Sequence, residues 1–287
     1  MTRDLDHRAV LELTTRRLER ASVPAAAHDA LTLLAHTLGR RRADVILDDR
    51  AVLSRDAAQR LESLVERRVR REPLQHLVGW VGFHDVLLAV DRRALVPRPE
   101  TECLVTAVLE WIGRRRPTRP RILDLGTGTG AIAIAIASAL PSSRIVATDL
   151  SPDAAALARA NAERSGTSHA VAVVVGDWLQ PFRSDAVFDV VVSNPPYVTT
   201  GEIGTLAPEV REYDPRLALD GGHDGLQPYR AVCTSAASHI DVGGLLAFEV
   251  ATERADAVAA IVDGAGFRDV VVRGDLDGRP RIVLGER

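Results

Sequence analysis

From Arg121 onward, short apolar runs alternate with segments of helical length, and this alternation limits the possible folds more than any other feature of the chain. The runs 121–125, 144–149, 170–175 and 187–193 are rich in Val, Ile and Leu, and helical spacing fills 130–139 and 153–164 between them. A long loop follows, then a helix near 229–240, a strand at 244–250, a helix at 253–265 and two closing strands near 269–273 and 280–284. Apolar strands separated by helices make a mostly parallel, doubly wound α/β sheet. In such sheets a ligand lies beyond the carboxyl ends of the strands, near the point where strand order reverses. Asp124, Asp149, Asp177 and Asn194 fall at or just past those ends.

Two of these strand ends carry unusual turns. The fourth run stops abruptly at Ser193-Asn194-Pro195-Pro196-Tyr197. Two prolines donate no backbone hydrogen bond and fix φ near −65°, so the carbonyls of Asn194 and Pro195 point outward, free of a ladder. The Asn194 side-chain oxygen beside the Pro195 carbonyl offers two acceptors to the two hydrogens of a planar NH2 group, and Tyr197 supplies a flat face. Asn-Pro is also a common turn dipeptide, so alone this could be a simple strand-ending turn. The first run leads into Asp124-Leu125-Gly126-Thr127-Gly128-Thr129-Gly130 and then a helix of small residues. Glycines let a backbone approach a ligand closely, and free N–H groups at a helix start suit an anion. A nicotinamide dehydrogenase would also place an acid such as Asp149 about 20 residues further on. Here the spacing is Gly-x-Gly-x-Gly, without the longer second gap, and no hydride-transfer constellation accompanies it.

The residues before this region read differently. Leu5, Leu11, Leu13 and Leu18 sit among polar residues; a second helix starts near Ser22-Val23-Pro24 and stops at Gly39; a third follows Ser54 as a cap. Residues 79–97 suggest a β-hairpin, and Thr101–Trp111 a helix. No apolar run approaches the ~20 residues needed to span a membrane, which with the charged start predicts a cytoplasmic protein. The two cysteines suit that compartment, and no Cys/His cluster has metal-ligand spacing, so no metal is expected. Residues 1–99 carry 18 Arg against 14 acids, net +4, whereas 100–287 carry 18 against 25, net −7. A net-acidic catalytic half is a poor match for a nucleic-acid duplex, so no direct nucleic-acid partner is expected.

Together, the glycine turn and the Asn-Pro-Pro-Tyr turn make the chain resemble class I S-adenosylmethionine-dependent methyltransferases that modify planar nitrogens. Further blocks resemble the HemK/PrmC family of protein-(glutamine-N5) methyltransferases: Arg71–Gly79, Leu95–Glu102 with its Pro-Arg-Pro-Glu-Thr-Glu run, Gly176-Asp177-Trp178, Gly221–Leu226 and Asp275–Arg279. The resemblance implies a Rossmann-like seven-stranded α/β sheet preceded by a five-helix bundle: residues 1–75 as a helical substrate-recognition domain, 76–99 as a β-hairpin linker and 100–287 as the catalytic domain. It implies S-adenosyl-L-methionine as cofactor, held by Gly126, Thr127, Gly128, Thr129, Gly130, Asp149, Asp177, Trp178 and Asn194. It also implies class I peptide-chain release factors as partners of a monomer. Their Gly-Gly-Gln glutamine would meet Asn194, Pro195, Pro196 and Tyr197, with Asn194, Pro195 and Tyr197 catalytic. Glu100 and Asp124 are candidates either to complement the sulfonium charge or for a structural role. Phe248-Glu249-Val250-Ala251 lacks the Glu-His pair familiar in the family, and His84 follows Phe83 where an aromatic is frequent. Alternatives are therefore a paralogue acting on another amide or amine, and an adenine-N6 nucleic-acid methyltransferase, whose exocyclic amine would fit the same acceptors.

Overall fold

The computed structural model describes residues 6–183 and 185–287; Leu5 lies outside the described residues. The chain divides into two units, one running to Gly79 and taking in Ala207–Tyr213, the other made of Trp80–Leu206 and Asp214–Arg287. The helical unit is therefore discontinuous in sequence.

In the first unit, α1 (His7–Arg20), α2 (Ala26–Leu38), α3 (Arg42–Leu47), α4 (Arg55–Val69) and α5 (Leu74–Val78) surround Leu18, Leu33, Leu34, Val45, Leu61 and Val65. Capping sets the boundaries: Asp6 and Ser54 accept from the backbone N–H of Ala9 and Ala57, and Gly39 stops α2 at φ 63°. The second helix begins at Ala26, two residues past Pro24, because Ser22 turns the chain at φ 57°. The short helices α3 and α5 span too few residues to show a 3.6-residue period. Arg68, 5% exposed, donates to Asp29 Oδ2 at 2.7 Å and to Glu209 Oε1 at 2.9 Å, and Arg71 bonds both oxygens of Glu209. Burial would raise the Glu209 pKa, but these two guanidiniums hold it below the usual carboxylate range.

The second unit opens with the hairpin β1 (Trp80–Phe83) and β2 (Val86–Ala89), followed by α6 (Pro99–Arg115). Then come β3 (Arg121–Leu125), α7 (Ala131–Ala139), β4 (Arg144–Asp149), α8 (Pro152–Arg164), β5 (Val171–Val175) and β6 (Phe188–Ser193). After α9 (Pro208–Arg211), which belongs to the first unit, follow α10 (Gln227–His239), β7 (Ile240–Glu249), α11 (Ala255–Gly264), β8 (Arg268–Gly274) and β9 (Pro280–Glu286). The strands form one seven-stranded sheet in the order β5-β4-β3-β6-β7-β9-β8, parallel except for β9. Neighbouring side chains on a strand go to opposite faces: Ile122, Val190, Val192 and Leu245 pack with α6 and α7, while Leu123, Leu125, Val191 and Leu246 pack with α10 and α11. Both faces are covered, which is why the strands read as unbroken apolar runs. The chain order reverses between β3 and β6, so their carboxyl ends flank the crevice where a doubly wound sheet binds ligands. Among the described residues no helix is long and apolar enough to cross a membrane.

Candidate active site

The turn after β3 is built by Asp124 and Asp149. Asp124 is fully buried beneath the glycines, where its Oδ2 accepts from Thr127 Oγ1 at 2.6 Å and from the Ala133 N–H at 3.2 Å. Its Oδ1 has no partner among the described residues, and burial pushes its pKa up to about 7. Neither it nor Glu100 lines the cavity described below, and Asp124, its side chain turned under the loop, has the structural one of the two roles open to it. Asp149, at the end of β4, accepts from the Gly128 N–H at 2.8 Å and the Ser151 N–H at 2.9 Å, which ties the turn to the start of α8. Each oxygen keeps a lone pair for a further donor. Gly130 cannot carry a side chain: at φ 84°, a Cβ would sit 2.9 Å from Ile134 Cδ1 and 3.3 Å from Ala158 Cβ.

The corner after β6 is locked from several directions. Ser193 Oγ donates to the Leu125 carbonyl at 2.7 Å, joining the two strand ends, and Asn194 Nδ2 donates to Thr101 Oγ1 at 3.2 Å. Behind it, the Val198 N–H bonds the Leu219 carbonyl and the Gly221 N–H bonds the Val198 carbonyl. A Cβ on Gly221 would lie 2.8 Å from the Pro196 carbonyl oxygen and 2.9 Å from Tyr197 Cα, so the corner rests directly on glycine backbone.

These features meet in a cavity of about 340 Å³ at the carboxyl ends of β3 to β6. Of the residues named from sequence, Gly126, Thr127, Gly128, Thr129, Asp149, Asp177, Trp178, Asn194 and Pro196 line it. Gly130, Pro195 and Tyr197 do not: Gly130 packs against α8, Pro195 is buried, and Tyr197 packs against the core beside α10. The flat face expected of Tyr197 is thus spent on supporting the corner, and burial pushes its hydroxyl pKa up to about 12. Arg98 and Thr101 also line the cavity without having been singled out as contact residues. Asn161 of α8, buried, braces the same turn by donating to the Thr129 carbonyl at 2.9 Å while pairing with the backbone of Ala89. The glycine cluster at 221–225 was a visible signal; nothing local marks Asn161.

The cavity fits S-adenosylmethionine. Its glycine turn leaves room beside Gly128, where an added Cβ would meet only Ala94 at 3.8 Å. Asp149 can accept from a ribose diol, and the Trp178 ring borders the space over Gly126. Among the described residues, no histidine, cysteine or tyrosine lines it.

The fold and this cavity define a class I S-adenosylmethionine-dependent methyltransferase. Residues 9–79 match the PrmC N-terminal domain and residues 102–210 the Methyltransferase small domain. The release factor glutamine methyltransferase of Deinococcus radiodurans is 44% identical over 98% of this chain and 98% of its own length; that of Caulobacter vibrioides is 39% identical over 94% and 92%. The chain belongs to the PrmC family of release factor glutamine methyltransferases. Among solved structures, the N-terminal domain of human METTL16 in complex with SAH superposes with a TM-score of 0.54 at 15% identity, covering 88% of this chain and 93% of that one. At that identity the likeness is one of fold.

Proposed function

We propose that this protein transfers the methyl group of S-adenosylmethionine to the side-chain amide N5 of the glutamine in the Gly-Gly-Gln loop of class I peptide-chain release factors, in the cytoplasm. The observation that carries this reading is the meeting, in one cavity, of the glycine turn braced by Asp149 with an Asn194 whose NH2 is already engaged by Thr101. The names of the curated relatives support the acceptor, and the match of residues 9–79 supports the helical unit as the surface that recognises it.

When bound, S-adenosylmethionine supplies an electrophilic methyl group on a sulfonium. Backbone N–H groups of the glycine turn other than those of Thr127, Gly128 and Gly130, which bond Thr148, Asp149 and Thr127, would hold its amino-acid end, Asp149 its ribose hydroxyls, and Asp177 and Trp178 its base. Asn194 Oδ1 would accept one N–H of the glutamine amide and the carbonyl of Pro195, a residue otherwise buried behind the cavity lining, the other, with Pro196 keeping the corner stiff and Tyr197 supporting it. An amide nitrogen is a weak nucleophile because its lone pair is delocalised into the carbonyl. Fixing both hydrogens at acceptors favours a more localised lone pair aimed across the cavity. No base is needed, since the nitrogen becomes acidic once alkylated and sheds its proton afterwards.

The test is methyl transfer to a purified release factor and to its Gln-substituted variant, with mass spectrometry of the loop peptide. Asn194→Ala lowers kcat by roughly 10² or more, the scale of losing a preorganised catalytic hydrogen bond. Methyl found on nucleic acid and never on protein, or near-normal turnover in that variant, overturns the reading.

A further inference from the structure

Glu249 ends β7 one residue beyond the Ser193–Phe248 register pair, which sets it beside Asn194 across the strand ends. It is 2% exposed, and its Oε2 has no hydrogen-bond partner among the described residues. Thr101 and Asn194 are both close enough to its carboxylate to draw its pKa down, and Asn194 Nδ2 donates to Thr101 Oγ1 at 3.2 Å. Proton bookkeeping then fixes directions. An ionised carboxylate only accepts, and a hydroxyl has a single proton to give. Thr101 Oγ1 already accepts from Asn194, so its own proton is left to turn towards the buried Glu249 carboxylate, and with the proton so directed Thr101 can only accept from its other neighbour. The NH2 end of Asn194 must therefore face inward, and Oδ1 is the end left over.

We propose that Glu249 is a positioning residue, which holds the Asn194 amide through Thr101 so that Oδ1, and not NH2, is presented to the acceptor nitrogen. This rests on the reading of Asn194 as the clamp for the acceptor amide. In the opposite orientation the Asn194 NH2 would confront the substrate NH2, two donors face to face, and the hydrogen bond would be lost.

The surroundings make this arrangement sensitive to pH. Arg281 of β9 and Glu100 of α6 act on Glu249, which in turn acts on Tyr197, on Tyr229 of α10 and on Cys103 of α6. Burial pushes the acid up; Thr101, Arg281 and Asn194 pull it down, Glu100 pushes it up again, and it comes to rest at about 7. As the pH falls through that value Glu249 gains a proton and becomes a donor. The direction of the Thr101 hydroxyl is then no longer imposed, and turnover falls.

The experiment measures kcat and KM of the full-length enzyme with a release factor from about pH 5.5 to 8.5, for the wild type, Glu249→Gln, Thr101→Ser, Thr101→Val and Asn194→Ala, with the melting temperature of each. The wild type is expected to show a one-proton acid limb at or below pH about 7. Glu249→Gln lowers kcat about tenfold, leaves KM for S-adenosylmethionine within about twofold and abolishes the limb. Thr101→Ser, which keeps the hydroxyl, retains the acid limb, whereas Thr101→Val reproduces the Gln variant with no added loss in the double variant. A folded Glu249→Gln enzyme with wild-type kcat and an unchanged limb overturns the proposal. Should that variant fail to fold, equal kcat in Thr101→Val and Thr101→Ser overturns it instead. If Asn194→Ala stays active, the clamp itself is wrong; if Asn194→Ala is crippled while Glu249→Gln is not, only the positioning role falls.

Discussion

Asp124 shows what a single buried carboxyl can do beneath a ligand turn. One oxygen holds Thr127 and the first turn of α7, and the other has no partner among the described residues, so the ionised form is poorly solvated. Its pKa in the fold, about 7, lies above the ordinary value of 3.8. The folded state therefore binds this proton more tightly than the unfolded chain, and the contribution to stability is complete below 3.8 and lost as the pH rises towards 7. Asp124→Asn cannot ionise, so its melting temperature relative to the wild type should be higher at pH 8 than at pH 5, by roughly 2–4 °C or more. Calorimetry at the two pH values checks this; an unchanged difference would mean that the acid is already ionised at pH 5.

At the scale of elements, the site is a set of loops held by close backbone approach. The Gly221–Gly225 stretch packs against the corner after β6, and a Cβ at Gly221 would press on the Pro196 carbonyl and Tyr197 Cα, neither of which can swing aside as a side-chain tip could. Gly221→Ala should cost about 1–3 kcal/mol in chemical unfolding. It should also reduce kcat more than it raises KM for S-adenosylmethionine, because it displaces the acceptor side of the cavity and leaves the glycine turn alone. The residues that follow the hairpin β1–β2 contribute to the same cavity: Ala94, Leu95, Pro97 and Arg98 line it, and Asn161 ties the Ala89 backbone at the end of the hairpin to Thr129. A stretch that reads in sequence as a linker is thus part of the cavity wall.

At the scale of the whole molecule, the helical unit borrows Ala207–Tyr213 from the middle of the catalytic sequence. Removing Glu209 leaves the buried Arg68 with Asp29 as its remaining acidic partner and strips Arg71 of a bidentate one. Glu209→Ala should therefore destabilise the helical unit by about 3–5 kcal/mol in urea unfolding, the cost of breaking a buried ion pair by deleting one side. Loss of less than about 1 kcal/mol would place that network among the weak surface pairs. The sequence alone determined the alternating sheet, the glycine turn and the proline-stiffened corner, because each is written in neighbouring residues: a period of two or 3.6, a φ that only glycine tolerates, a missing N–H. The short helices α3 and α5 escaped the periodicity for want of length. What only the tertiary structure decided is the set of groups that hold those motifs in place. Thr101, Asn161 and Glu249 come from three separate elements and Gly221 from a loop, and although the glycines at 221–225 stand out in the sequence, nothing there shows what they press against. Their roles arise from contacts across the fold, where burial turns a common acid or glycine into one that fixes an orientation.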